Sequence, residues 1–175
     1  MTLILTTPHR DPAYQVGAAT LFAAIAIIVA ALGFEYIGGY RPCPLCLEQR
    51  YAYYAGIPLL FLALVLQSMG RSGIAAALFA LVAMAFLANA GLAAYHAGVE
   101  WKFWEGPQTC QTAIEPLGSS SGGLLKELQT IQITRCDEPA WRFAGLSFAG
   151  WNVLLSFLLF VTSLRAALAS RSTAH

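Results

Sequence analysis

Four windows of this chain, residues 13–34, 51–69, 74–95 and 143–164, contain no Asp, Glu, Lys or Arg. A hydrocarbon core about 30 Å thick is crossed by about 20 apolar residues in helical form. Inside it, backbone N–H and C=O groups find no water, so a spanning segment must satisfy them itself, as a helix does. Each window is long enough. The expectation is an all-α integral membrane protein, a four-helix transmembrane bundle formed by residues 1–175 as a single membrane domain. Composition agrees: 11% of residues are charged, against roughly 25% in an ordinary soluble domain. The first window, 22 residues long, exceeds the apolar region of about 7–15 residues in a secretory signal, and is read as a span. A net charge of +1 supplies no basic stripe for nucleic acid, which is set aside as a partner.

Four spans put both termini and the turn at 70–73 on one side, and the loops 35–50 and 96–142 on the other. The terminal side carries Arg10, Arg71, Arg165 and Arg171 against the single acid Asp11, whereas the two longer loops carry more acids than bases. By density of basic residues near the span ends, this favours cytoplasmic termini. Tyr36, Tyr40, Tyr95, Trp101, Trp104 and Trp141 crowd the opposite face, where interfacial aromatics ordinarily form belts on both. That asymmetry points to a built structure on the outer side.

All four cysteines fall in the outer loops, and their even number suits an oxidising compartment. Cys43 and Cys46 form a Cys-Pro-Leu-Cys sequence just before span 2. Thiols separated by two residues close a small ring and reopen by thiolate exchange. Cys46 sits at the expected start of a helix, where unpaired amides favour an anion. Arg50 follows four residues later on the same helical face, and both effects favour the thiolate. Pro42 and Pro44 fix the backbone around Cys43. A Cys-x-x-Cys also occurs in zinc sites. Here, however, a four-ligand zinc site would need both Cys110 and Cys136 from across a long loop, and no His-x₃₋₅-His accompanies it, so no metal is expected. Taken alone, Cys110 and Cys136, with 25 residues between them, read more readily as a structural staple. The adjacent Cys-x-x-Cys opens the alternative of exchange between pairs.

Between them lies a Gly/Ser tether, 118–123, followed by Leu124, Leu125, Leu128 and Ile131 at helical spacing. The expectation is a short amphipathic helix over 124–132, resting on the membrane surface; a cap helix packed on its own loop fits the same pattern. Asn89 and Asn152 lie inside spans, where interhelical hydrogen bonding accounts for them. Pro58 is expected to kink span 2, with Gly56 easing the bend. The Ala and Gly residues of spans 1 and 3 are expected to permit close helix packing.

Four spans, Cys43-Pro-Leu-Cys46 with Arg50 four residues on, the spaced pair Cys110 and Cys136, and Cys136-x₄-Trp141-x-Phe143-x-Gly145-Leu146 leading into span 4 together resemble the disulfide bond formation protein B (DsbB) family. Its members are membrane quinone reductases that reoxidise the periplasmic thiol oxidase DsbA. The resemblance implies a multi-pass protein of the bacterial inner membrane whose active site faces the periplasm. It implies catalytic roles for Cys43, Cys46, Cys110 and Cys136: a reduced DsbA-like partner attacks the Cys110/Cys136 disulfide at Cys110, exchange reduces Cys43/Cys46, and Cys46 delivers electrons to ubiquinone or menaquinone. It also implies that Cys46, Arg50 and His96 adjoin the quinone ring. Positive charge and hydrogen-bond donors suit oxygens that gain electrons. Gln49 departs from the pattern, standing where relatives often carry an acid. Two other readings remain open. A non-catalytic four-span scaffold with disulfide-stapled loops would account for the cysteines, and its disulfides would resist physiological thiols. A reductase of the vitamin K epoxide kind shares the four-helix plan, but would place its Cys-x-x-Cys near the end of a later span.

Overall fold

The computed structural model describes residues 11–107 and 135–172. Four long helices, each apolar enough to cross a membrane, make up the architecture: α1 (Pro12–Tyr36), α2 (Pro44–Ser68), α3 (Ser72–Glu100) and α4 (Phe148–Ser172). They form a closed ring in chain order, α1 against α2, α2 against α3, α3 against α4 and α4 back against α1, with α3 and α4 most extensively packed. The expected four-helix bundle is therefore present. Large apolar side chains such as Phe22, Phe61, Leu81, Met84 and Phe157 point outward, as a lipid-facing surface requires.

The element ends follow local chemistry. Asp11 caps α1, its Oδ1 accepting the Ala13 N–H at 2.9 Å, and its Oδ2 accepts from Gln67 Nε2 at 2.5 Å, tying the start of α1 to the end of α2. Gly70, at φ 76°, takes the left-handed conformation that lets the Arg71 N–H return to Leu66 O, closing α2. Helix α2 starts at Pro44, several residues earlier than the charge-free window, because Glu48, Gln49 and Arg50 are tolerated in its first turns. It continues through Pro58. Gly56 has a packing role: a methyl added there would lie 3.2 Å from the Phe86 ring of α3. Gly17 behaves similarly, with Phe79 of α3 and Leu64 of α2 filling the space a side chain would take.

Span 4 begins later than the charge-free window. Residues 142–147 instead form a miniature antiparallel hairpin, β1 (Arg142–Phe143) with β2 (Leu146–Ser147), turning through Ala144 and Gly145 at positive φ. Trp151 Nε1 donates to Phe143 O at 3.1 Å and pins the hairpin to α4. Ser147 Oγ accepts the Gly150 N–H at 3.2 Å and caps the first turn of α4. The expected surface helix at 124–132 lies outside the described residues.

Candidate functional site

The starts of α2 and α4 and the end of α3 meet at one end of the bundle, and the chemistry-bearing side chains gather there. Cys43 is the N-cap of α2: its Sγ accepts the Cys46 N–H at 3.3 Å and stands 2.8 Å from Cys46 Sγ. Both are free thiols. The Cys46 sulfur held against it, together with burial, pushes the Cys43 thiol well above the ordinary range, so Cys43 keeps its proton and directs it at Cys46.

His96 lies on the last turns of α3, buried, with Nε2 3.6 Å from Cys43 Sγ. Cys136 is disulfide-bonded and buried. Its sulfur, the Cys43 sulfur and a His96 ring nitrogen all lie within 4.8 Å of one another. Such a triad has the dimensions of a metal site, but the disulfide removes the Cys136 sulfur from any ligand set. What the spacing does allow is sulfur-to-sulfur exchange. Cys110 lies outside the described residues, as therefore does its expected pairing with Cys136.

Arg50 forms an ion pair with Glu35 at the end of α1, a partner that sequence reasoning had not assigned. Glu100 is buried 3.9 Å from His96 Nε2 and accepts a hydrogen bond from Ser147 Oγ. Gln49, the departure from the pattern, is buried between His96 and α4: its Nε2 is 3.0 Å from His96 Nδ1, and its Oε1 accepts from Asn152 Nδ2 at 2.6 Å. Asn152 Oδ1 accepts from Tyr53 OH at 2.7 Å, and Asn89 Nδ2 donates to Ser156 Oγ at 2.9 Å. Both intramembrane asparagines thus make the interhelical bonds expected of them. The signal that could have found Gln49 is its position between Cys46 and Tyr53 on one inward face of α2.

A cavity of about 590 Å³ opens beside this cluster, and Cys46, Arg50, His96 and Glu100 border it at one end. Its walls are largely apolar: Ile27 and Phe34 from α1, Trp141 from the loop, Phe148 and Leu155 from α4. The Phe34, Trp141 and Phe148 rings pack together with centroids 5.0–5.6 Å apart. The sequence-expected residues Cys43, Cys46, Arg50, His96 and Cys136 are therefore brought to one place.

The family model for disulfide bond formation protein DsbB matches residues 14–166 of the chain. This chain belongs to that family. Among relatives, disulfide bond formation protein B 2 of Pseudomonas putida is 35% identical over 85% of this chain and 86% of its own length. Disulfide bond formation protein B of Methylococcus capsulatus is 32% identical over 88% and 91%. An uncharacterized protein of Rickettsia prowazekii, RP370, is 29% identical over 78% of each. No solved structure matches the chain. Family and architecture together make it a multi-pass membrane protein of disulfide bond formation.

Proposed function

We propose that this protein is a quinone-dependent thiol–disulfide oxidoreductase of the bacterial inner membrane, with both termini cytoplasmic, which reoxidises a periplasmic DsbA-like protein. One observation carries the reading: the Cys136 and Cys43 sulfurs lie within 4.8 Å, and the Cys43/Cys46 pair in turn borders an apolar cavity. A disulfide-stapled scaffold has no use for a disulfide-bonded Cys136 at exchange distance from the Cys43/Cys46 pair beside a cavity.

In the sequence we assign, a thiolate of the reduced partner attacks Cys110 of the Cys110/Cys136 disulfide, forming a mixed disulfide and releasing Cys136 as thiolate. Cys136 attacks Cys43 of the oxidised Cys43/Cys46 pair and releases Cys46 as thiolate. The partner's second thiolate then displaces Cys110 and leaves the partner oxidised. Cys110 next attacks Cys136, restoring that disulfide and leaving the electron pair on Cys43 and Cys46. Two electrons and two protons have then left the partner, and they leave the chain as Cys43/Cys46 closes again.

The residues at the cavity fit a quinone. Its volume lies within the roughly 300–1,000 Å³ of small-molecule sites, its walls suit a ring and an apolar tail, and its polar end suits ring oxygens. A bound quinone, ubiquinone or menaquinone, supplies an acceptor for two electrons and two protons. Arg50 and His96 would hold its oxygens beside Cys46, and the Glu35 carboxylate, paired directly with Arg50, would orient it.

The test is quinone reduction by the purified protein with a reduced DsbA-like protein and a soluble quinone analogue, native against Cys46→Ser. Turnover lost in Cys46→Ser is expected, with the partner still trapped as a mixed disulfide at Cys110. Full turnover in that variant would overturn the relay, and absence of turnover in the native protein with every quinone and partner would favour the scaffold.

A further inference from the structure

Six hydrogen bonds in series connect the centre of α3 to the Cys46 sulfur. Asn89 Nδ2 donates to Ser156 Oγ at 2.9 Å, Ser156 Oγ to Asn152 Oδ1 at 3.2 Å, and Asn152 Nδ2 to Gln49 Oε1 at 2.6 Å. Gln49 Nε2 then meets His96 Nδ1 at 3.0 Å, His96 Nε2 meets Cys43 Sγ at 3.6 Å, and Cys43 Sγ donates to Cys46 Sγ at 2.8 Å. Asn89, Ser156, Gln49 and His96 are buried, and Asn152 and Cys46 are half-buried beside the cavity.

The series has one direction. A carboxamide donates only from nitrogen and accepts only at oxygen. Ser156, whose Oγ also lies 3.3 Å from the Tyr53 oxygen, accepts from Asn89 and donates to Asn152 Oδ1, an acceptor only, which also receives the Tyr53 hydroxyl. That turns the Asn152 NH₂ toward Gln49 and the Gln49 NH₂ toward His96. Nδ1 of His96 is thereby the acceptor, and the ring proton sits on Nε2, facing Cys43. Cys43 Sγ, 3.6 Å from that nitrogen, shares the His96 ring with the Cys136 backbone and accepts the Cys46 backbone N–H, while its own S–H goes to Cys46.

We infer that Gln49 and Asn152 are positioning residues: they lock His96 in the Nε2–H tautomer, and the chain of donors they complete ends on the Cys46 sulfur and stabilises its thiolate. The inference deepens the proposed function, since Cys46 is the sulfur assigned there to face the quinone. It also gives Gln49 a task that an acid at this position would perform differently. A carboxylate accepts only, so His96 would have to present a proton on Nδ1.

Charged groups near Cys46 also act on it, and one of them, Glu100, lies 3.9 Å from His96 Nε2 and so faces the relay as well. These are Arg50 of α2, Glu100 of α3, Glu35 of α1 through Arg50, and Arg41, Arg135 and Glu138 around the cavity; α4 has no charged residue before Arg165. All are retained in the variants below.

Two measurements on the full-length protein in bilayers test the inference, and neither uses a quinone or a partner. The first is nitrogen NMR of ¹⁵N-histidine-labelled protein, whose three histidines are assigned with His96→Asn. At neutral pH the native His96 ring is expected to be protonated at Nε2 and bare at Nδ1, whereas Gln49→Glu is expected to be protonated at Nδ1. The second is the pH profile of iodoacetamide alkylation at Cys46 in the reduced protein, read by peptide mass spectrometry. In Gln49→Leu the thiolate population at a given pH is expected to fall about tenfold, the size of one hydrogen bond to a charged group. A native ring protonated at Nδ1, or a Gln49→Leu profile that overlays the native one, would overturn the inference. Should Gln49→Leu not fold, the native and Gln49→Glu spectra decide it. The expected tautomers and profile in a protein that reduces no quinone would uphold the relay and remove the proposed function instead.

Discussion

The two ends of the bundle are held together differently. At the cysteine end, α2, α3 and α4 are joined by a line of side-chain hydrogen bonds through Gln49, Asn152, Ser156 and Asn89. At the opposite end the helices meet through rings and small residues: Phe79 of α3 packs into the space left by Gly17 of α1, beside Leu64 of α2. Among the described residues, the buried side-chain oxygens without a partner are Gln67 Oε1 and Ser163 Oγ, and neither lies at the cysteine end. In lipid the hydrophobic effect does not drive helices together, so close packing and interhelical hydrogen bonds must do so. Here the balance shifts along the bundle: at one end steric fit is joined by the Asp11–Gln67 bond, and at the other a continuous polar line runs beside the cysteines.

The largest expected effect lies at the packed end. Phe79→Ala should lower stability by about 3–5 kcal/mol, measured by unfolding in mixed micelles of increasing SDS content, while the pH profile of Cys46 alkylation in the folded fraction stays native. A changed profile would mean that the two ends are not separate. Asn152→Leu addresses the polar end. It strips partners from Gln49 and Tyr53 and should cost about 1–3 kcal/mol while slowing quinone reduction by the folded protein; turnover unaltered at reduced stability would make the polar line purely structural. Asp11→Ala, which removes both the α1 cap and the Gln67 contact, is expected to cost about 1 kcal/mol in the same unfolding assay, and an effect on thiol chemistry would again blur the division.

The smallest effect concerns the loop that carries Cys136. Hydrogen bonds from Arg135 and Lys102 hold the Asp137 carboxyl down to about 2, from an ordinary 3.8. Because the folded value is the lower one, Asp137 stabilises the fold fully above 3.8, and that contribution disappears as the pH falls through about 2. The difference in melting temperature between the native protein and Asp137→Asn should therefore close over this interval. The carboxylate is nearly surface-placed, so the difference is small at any pH, and one that persisted below pH 2 would assign it to packing.

The helices were legible because the absence of charge over a membrane's width is a one-dimensional property. So was the placement of Cys46 and Arg50 one helical turn apart near the start of α2, which depends only on helical spacing, and both line the cavity. The hairpin at 142–147 escaped because its strands are two residues each and its turn begins with Ala144, a residue without turn preference. Its uncharged residues simply extended the apolar window of span 4. Glu35 and Arg50 sit on different helices, and nothing local links them. Gln49 read as a missing acid, and its position between His96 and Asn152 emerges only when three helices are assembled. Asn89 and Asn152 were correctly expected to bond between helices, although their partners could not be named from spacing.

The hairpin has one more consequence, best expressed as a concentration. Cys136 is joined to the fixed start of α4 by a short stretch, part of which is folded into β1 and β2 and pinned by Trp151. A thiol tethered so closely meets its target at an effective concentration on the order of millimolar or above. Cys43 would therefore encounter the Cys136 sulfur far more often than it encounters any thiol diffusing in from solution. The fold itself would decide which sulfur Cys43 exchanges with.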